Sequence, residues 1–238
     1  MQTRSSAATV RVRYLARVNV TVHVLGTAQD GGFPHAGCAC ASCDGARLDP
    51  ARARRVASIG VVGASGRCLM VDATPDFGVQ VAALAAAAGR PQPALDAMIL
   101  THAHIGHYLG LAMLGREVMS VRHLPVYGTL SMRRFLEHNR PWSHLIERQE
   151  IECHTLRPGE ALDFDGARIH AVLAPHRSED TDTIGLEIEG PSKRLVYVPD
   201  ADVFPPALAA RIREADVALI DGTFHDRDEL PHREILEV

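Results

Sequence analysis

The sequence predicts a mixed α/β domain, and three observations carry that expectation. Short apolar runs rich in β-branched residues recur along the chain with turn residues between them; some are followed by helical patterns; others follow one another directly, as hairpins do. Strands that alternate loosely with helices and also form hairpins favour a mixed sheet over a purely parallel one. The 238 residues suffice for one medium domain with a proper core, and no internal repeat, low-complexity tract or linker divides them.

The elements follow in order. "VTVHVLG" (20–26) is a strand that runs into a glycine turn, and "ASIGVVGA" (57–64) with "RCLMVDA" (67–73) forms a strand pair joined around Gly63 and Gly66. In "TPDFGVQVAALAAAAG", Thr74 is read as a helix N-cap, Pro75 as the first helical residue and Gly89 as the exit. "LDAMILT" (95–101) is a short buried strand, followed by a helix from about Tyr108 to Met119 on the apolar stripe Leu109, Leu111, Leu114 and Val118. "LPVYG" (124–128) is a strand and "SMRRFLEHN" a helix. The last third supplies strands at "ARIHAVLA", "TIGLEIEG", "KRLVYVPD" and "DVALIDG", with a helix at "PPALAARIREA" before the last.

Composition excludes several functions. Apolar residues are 46% and charged residues 23%, an ordinary soluble balance, and a net charge of -4 leaves no electrostatic footprint for nucleic acid. No apolar run reaches the roughly 20 residues that span a bilayer. The first residues, rich in Arg and Ser without acids, lack the continuous apolar segment of a secretory signal. Residues 1–18 are therefore expected to be a frayed N-terminus, and 19–238 a single domain. Five cysteines, three of them within six residues, fit metal binding in a reducing, cytoplasmic compartment better than a disulfide framework.

"THAHIGH" crowds His102, His104 and His107 just past a buried strand. Residues two apart in an extended segment point the same way, so His102 and His104 converge, and His107 at the start of the next helix faces the same cavity. Convergent neutral imidazoles are ligands for zinc or iron. His176 in "VLAPHRSED" and Asp200 in "LVYVPDAD" also follow apolar strands, and catalytic groups gather in such loops. Asp200 is equally able to cap a turn, with Asp202 as a decoy two residues on.

These residues together resemble the metallo-β-lactamase superfamily, whose signature is H-x-H-x-D-H followed by a later His, Asp and His. The likeness spans roughly residues 20 to 225 and implies an αββα sandwich of two mixed sheets with metals at one sheet edge. Asp72 in "MVDA" matches a structural aspartate of that family. Within the superfamily, "VLGTAQDGGFPHAGCACASC" and "VALIDGTF" look like the group of coenzyme PQQ synthesis protein B. That likeness implies a place in the biosynthesis of a pyrroloquinoline quinone-type cofactor, through oxidation of a tyrosine-derived ring. A phosphodiesterase group with a similar cysteine stretch is the neighbouring alternative.

Where the signature has aspartate, this chain has Gly106, which ligates nothing. The expectation is one firmly held zinc or iron at His102, His104 and His176. Asp200 then bridges, orients the attacking water or serves as general base, and His107 binds substrate or a weaker second ion. The family's last histidine has no equivalent in context among His225 and His232, so its final strand and helix are expected to be missing.

Cys38, Cys40 and Cys43 form a C-x-C-x-x-C that suits a structural zinc, with His35, His225 or His232 as candidates for the fourth ligand. Cys68 and Cys153 read as core residues, and His23, His123, His138, His144, His154 and His170 have no ligand-like spacing. Trp142 is either a substrate contact on a loop or a packing anchor. The substrate is expected to be a small molecule or derived from a short peptide. Three functions remain open: a metal-dependent enzyme of cofactor biosynthesis, a hydrolase of small phosphate esters, and a non-catalytic metabolite carrier.

Overall fold

The structure is a computed structural model that describes residues 19–223. The N-terminal stretch 1–18 and the histidines His225 and His232 lie outside the described residues. The elements in order are β1 (Thr21–Gly26), α1 (Ala41–Leu48), β2 (Ser58–Val62), β3 (Cys68–Val71), α2 (Phe77–Ala87), β4 (Ala97–Ile99), α3 (Ile105–Tyr108), β5 (Leu124–Gly128), α4 (Leu130–His138), α5 (Trp142–Glu147), β6 (Ile151–Thr155), β7 (Ala161–Phe164), β8 (Ala167–Leu173), β9 (Ile184–Glu189), β10 (Arg194–Val198), α6 (Pro206–Glu214) and β11 (Val217–Ile220).

Two sheets result. The first has six strands in the order β1-β2-β3-β4-β5-β6, antiparallel from β1 to β3 and parallel from there on. The second has five, β11-β10-β9-β8-β7, antiparallel except for the β10–β11 pair. Side chains of a strand alternate faces, and this alternation builds the layers. On β3, Cys68 and Met70 pack under α2, with Phe77, Val81 and Leu84, whereas Leu69 and Val71 face the second sheet. Ile169, Leu186 and Tyr197 answer from that sheet. Its outer face, with Val172, Val196 and Val198, is covered by Leu208 of α6. Helices, sheet, sheet, helix: this is the αββα sandwich that the sequence predicts.

Two helices depart from expectation. α2 begins at Phe77, because Thr74 and Asp76 are used elsewhere: the Thr74 oxygen accepts the Asp76 N–H, and the Asp76 carboxylate accepts the Val56 N–H. The helix expected over 108–119 is instead the single turn α3 followed by a 3-10 segment, Leu109–Leu114. Backbone hydrogen bonds, Ala73 N–H to His107 O and Gly110 N–H to Ala73 O, pin that segment against the loop after β3. Leu111 and Leu114 are buried there, while Leu109 and Val118 are exposed. Helices α1 and α5 and strand β7 had no clear periodic signal. Trp142 proves to be a packing anchor, edge-on to Tyr108 at 4.7 Å.

Candidate metal centre

The strands deliver the site. Asp72 follows β3, Thr101 and His102 follow β4, His176 follows β8 and Asp200 follows β10. Both sheets therefore contribute, and they are tied together at the site: the Ile184 N–H donates to Thr101 O, and the Ala103 N–H to Thr181 Oγ1. His102, His104 and His176 form one group whose ligand atoms lie within 4.8 Å of one another. His102, His107 and Asp200 form a second. Among the described residues, His23, His123, His138, His144, His154 and His170 join no such group.

Hydrogen bonds decide which nitrogen of each ring is free. The Asp72 carboxylate accepts from Thr101 N–H at 2.8 Å and from its hydroxyl at 3.0 Å. The Thr101 oxygen is left to accept from His102 Nδ1 at 3.0 Å, which leaves Nε2 of that ring bare. His107 Nδ1 donates to Asp72 at 2.8 Å, His176 Nδ1 to Asp202 at 2.8 Å, and His104 Nε2 to Glu179 at 3.0 Å. Each of the four rings thus has one nitrogen held by an acceptor and the other turned inward. This is the outer shell that metal-ligating histidines need to fix tautomer and orientation.

The inward atoms crowd one space without satisfying one another. His176 Nε2 stands 3.2 Å from His104 Nδ1, with both protons of the pair already committed to carboxylates. His102 Nε2 is buried without a hydrogen-bond partner, and so is Asp200 Oδ2, 3.5 Å away. His107 Nε2 is 2.8 Å from the same oxygen but lacks hydrogen-bond alignment. Ligand atoms around a tetrahedral zinc, with bonds of about 2.0–2.2 Å, sit roughly 3.3–3.6 Å apart. The residues fit a cation.

Electrostatics agree. Burial, reinforced by repulsion from His107 and His104, holds His102 far on the neutral side of its ordinary range, the state a ligand requires. Burial acts on His107 in the same sense but is outweighed by Asp72, Asp200 and Asp30, which hold its pKa well above the usual value. Positive charge is wanted at that nitrogen. Asp72 sits at φ +65°, in the left-handed region that aspartate tolerates better than most residues, and is wholly buried. The expected structural role is thus the anchoring of Thr101 and His107.

Gly106 is also explained by its surroundings. A Cβ there would lie 2.2 Å from Asp30 Oδ1, in the loop after β1, so the Asp30 carboxylate occupies the volume that a side chain at 106 would fill. Gly26 likewise allows β1 to pass the Val56 carbonyl, which a Cβ would meet at 1.9 Å. Asp30 lines a cleft of about 580 Å³ beside the site, together with Thr27, Arg54 and Arg55. Asp202, set aside as a decoy, orients His176. Its signal was the repeat of Asp200 two residues on. Asp30 and Glu179 had no sequence signal, because their partners are remote in the chain.

Cys38, Cys40 and Cys43 form a third group. Cys40 caps α1, its sulfur accepting the Cys43 N–H at 3.5 Å, and this bond, with help from Cys38, lowers its thiol pKa to about 7. His35 does not join the cysteines: its ring lies over Gly31 and its Nδ1 bonds the Ala36 carbonyl. The described residues contain no fourth ligand within reach.

The model of the β-lactamase superfamily domain matches residues 67–236. The chain belongs to the metallo-β-lactamase superfamily. It is 35% identical over 233 residues to coenzyme PQQ synthesis protein B of Cupriavidus taiwanensis, covering 88% of this chain and 75% of that protein. Among solved structures it is similar to zinc-bound PqqB from Methylobacterium extorquens, with a TM-score of 0.73, 26% identity, and coverage of 84% of this chain and 72% of that one. A diphosphatase from the PhnP family follows at 0.65 and 28%, covering 84% and 73%. No helix among the described residues is long and apolar enough to cross a membrane.

Proposed function

We propose that this metallo-β-lactamase-fold protein is a metal-dependent enzyme of pyrroloquinoline quinone-type cofactor biosynthesis, acting on a small precursor. The observation that carries the reading is the sorting of ring nitrogens: His102 Nε2, His104 Nδ1 and His176 Nε2 are bare and lie within 4.8 Å of one another, with Asp200 Oδ2 3.5 Å from the first, while their opposite nitrogens are tied down. Likeness to PQQ synthesis protein B supplies the pathway. The histidine site suits zinc or iron, and a bound ion there would supply Lewis acidity, drawing the pKa of a bound water toward about 7, or dioxygen activation if it is iron.

The protein's own groups do the rest. His102, His104 and His176 bind, held by Thr101, Glu179 and Asp202. Asp200 Oδ2, buried and unpaired beside them, accepts the proton of an attacking water or of the substrate. His107, braced by Asp72, stabilises negative charge on the Asp200 side. The cleft beside Asp30 is of a size usual for small ligands. Cys38, Cys40 and Cys43 hold a structural zinc remote from turnover.

Likeness to the PhnP-family diphosphatase supports a second reading, hydrolysis of a small phosphate ester. Assays separate the two. Ferrous-iron-dependent oxygen uptake with a tyrosine- or dopa-like substrate, lost in His102→Ala, is the expected result. Cleavage of a chromogenic phosphodiester, lost in the same variant, would instead establish the second. Metal binding without turnover on either would point to a carrier.

A further inference from the structure

We infer that Asp30 is the carboxylate ligand of a second cation, held with His107 and Asp200, and that it reaches this place through the space left open by Gly106. The inference rests on reading the histidine cluster as a metal centre. It replaces the expectation from sequence that position 106, having no side chain, leaves the second position short of a charged ligand.

Three observations converge. The first is volume: Asp30 Oδ1 and Cγ lie 2.2 and 2.5 Å from the Cβ position of residue 106, and the Asp30 Cα itself lies at 2.9 Å. The loop after β1 therefore inserts both backbone and carboxylate where any larger residue would stand. Glycine at 106 is a requirement of that approach. The second is proton count. His107 Nδ1 donates to Asp72, so a neutral His107 presents a lone pair at Nε2. That nitrogen faces Asp30 Oδ1 at 3.5 Å and Asp200 Oδ2 at 2.8 Å. Two carboxylate oxygens around one nitrogen call for positive charge among them, which either a proton on His107 or a metal cation supplies. The third is an unpartnered ligand atom nearby: His102, with a side chain 2% exposed, aims its unpaired Nε2 at the same Asp200 oxygen. An acidic pair alone would be unremarkable surface chemistry; two buried imidazoles pointing into it are not.

The donor set is two carboxylates and an imidazole. It suits a divalent ion of borderline to hard character such as zinc, iron(II) or manganese(II). Asp200 would then lie between the two cations, and Asp30, 41% exposed at the edge of the cleft, would be the ligand nearest to incoming substrate.

Zinc titration of the full chain by calorimetry, with elemental analysis after dialysis, tests this. The variants are Asp30→Asn and His104→Ala/His176→Ala. The cysteine cluster is common to all of them and cancels in the differences. Asp30→Asn is nearly isosteric and partly exposed, and a thermal melt confirms that it folds. The expected result is one zinc fewer than wild type, or a weakest binding step at least about tenfold weaker, as even the loss of an indirect partner produces. Zinc binding by Asp30→Asn equal to wild type overturns the role of Asp30. If wild type and Asp30→Asn both exceed His104→Ala/His176→Ala by the same single ion, Asp30 is not a ligand and the first position stands. If the double histidine variant binds as much zinc as wild type, the histidine centre itself falls.

Discussion

Four imidazoles share one cavity, and what keeps them from neutralising one another is the partner on the far side of each ring. Asp202 takes the Nδ1 proton of His176, Glu179 the Nε2 proton of His104, Asp72 the Nδ1 proton of His107, and Thr101 relays Asp72 to His102. An outer partner of this kind is commonly worth 10–100-fold in metal affinity. Asp202→Asn keeps the shape of the side chain but lets the amide donate toward Nδ1, freeing His176 to adopt the other tautomer. Zinc affinity at the histidine site should fall by about 10–100-fold, with an unchanged melting temperature of the apo protein. Equal affinity in a competitive chelator titration would show that Asp202 does not orient the ring. The sequence located His102, His104, His176 and Asp200, because each follows an apolar strand. Asp202 was visible only as an ambiguity, and Asp30 not at all, since its neighbour Gly106 is the residue whose side chain is absent.

At the level of elements, the strands were legible because period-two burial is imposed from both sides: on β3, Leu69 and Val71 must meet one sheet while Cys68 and Met70 meet α2. The segment after His107 was not legible. Its apolar spacing suggested a continuous helix, but backbone hydrogen bonds to Ala73 wind it more tightly. Helix α1 escaped notice because its cap is a cysteine. If Cys38, Cys40 and Cys43 hold a structural zinc, Cys40→Ser should lower the melting temperature by several degrees, with 1 kcal/mol worth about 2–4 °C at this size. The histidine-site metal should remain. An unchanged melting curve would remove the zinc from α1.

Packing of α6 on the second sheet yields a pH dependence. Glu187 of β9 is 3% exposed and is paired with Arg194 and with Arg211 of α6. Burial pushes its carboxyl upward, but the two guanidinium groups outweigh this and hold it below the usual carboxylate range. A group whose folded pKa lies below its unfolded value, about 4.3 for glutamate, contributes stability that is fully present above that value. The contribution is lost as pH falls through the folded one. Glu187→Gln should therefore melt below wild type at pH 6, and the gap should close below about pH 4. A gap that stays constant from pH 7 to pH 3 would mean that the ion pair adds nothing.

At the scale of the molecule, the sandwich is the device that assembles the site. Thr101 and His102 come from the first sheet and His176 and Asp200 from the second, joined by the Ile184–Thr101 hydrogen bond at their shared edge. No single sheet holds a complete ligand set, so an ion bound there would stabilise the sheet-to-sheet packing and be stabilised by it. The fold was legible from strand pattern and the histidine spacing together, whereas the second carboxylate depended on a loop approach that no local pattern records. The most direct test is anomalous diffraction at the zinc edge from crystals of the zinc-loaded protein. The account predicts a peak about 2.0–2.1 Å from His102 Nε2, His104 Nδ1 and His176 Nε2. A peak at the cysteine cluster alone, with the histidine cavity empty at saturating zinc, would contradict it.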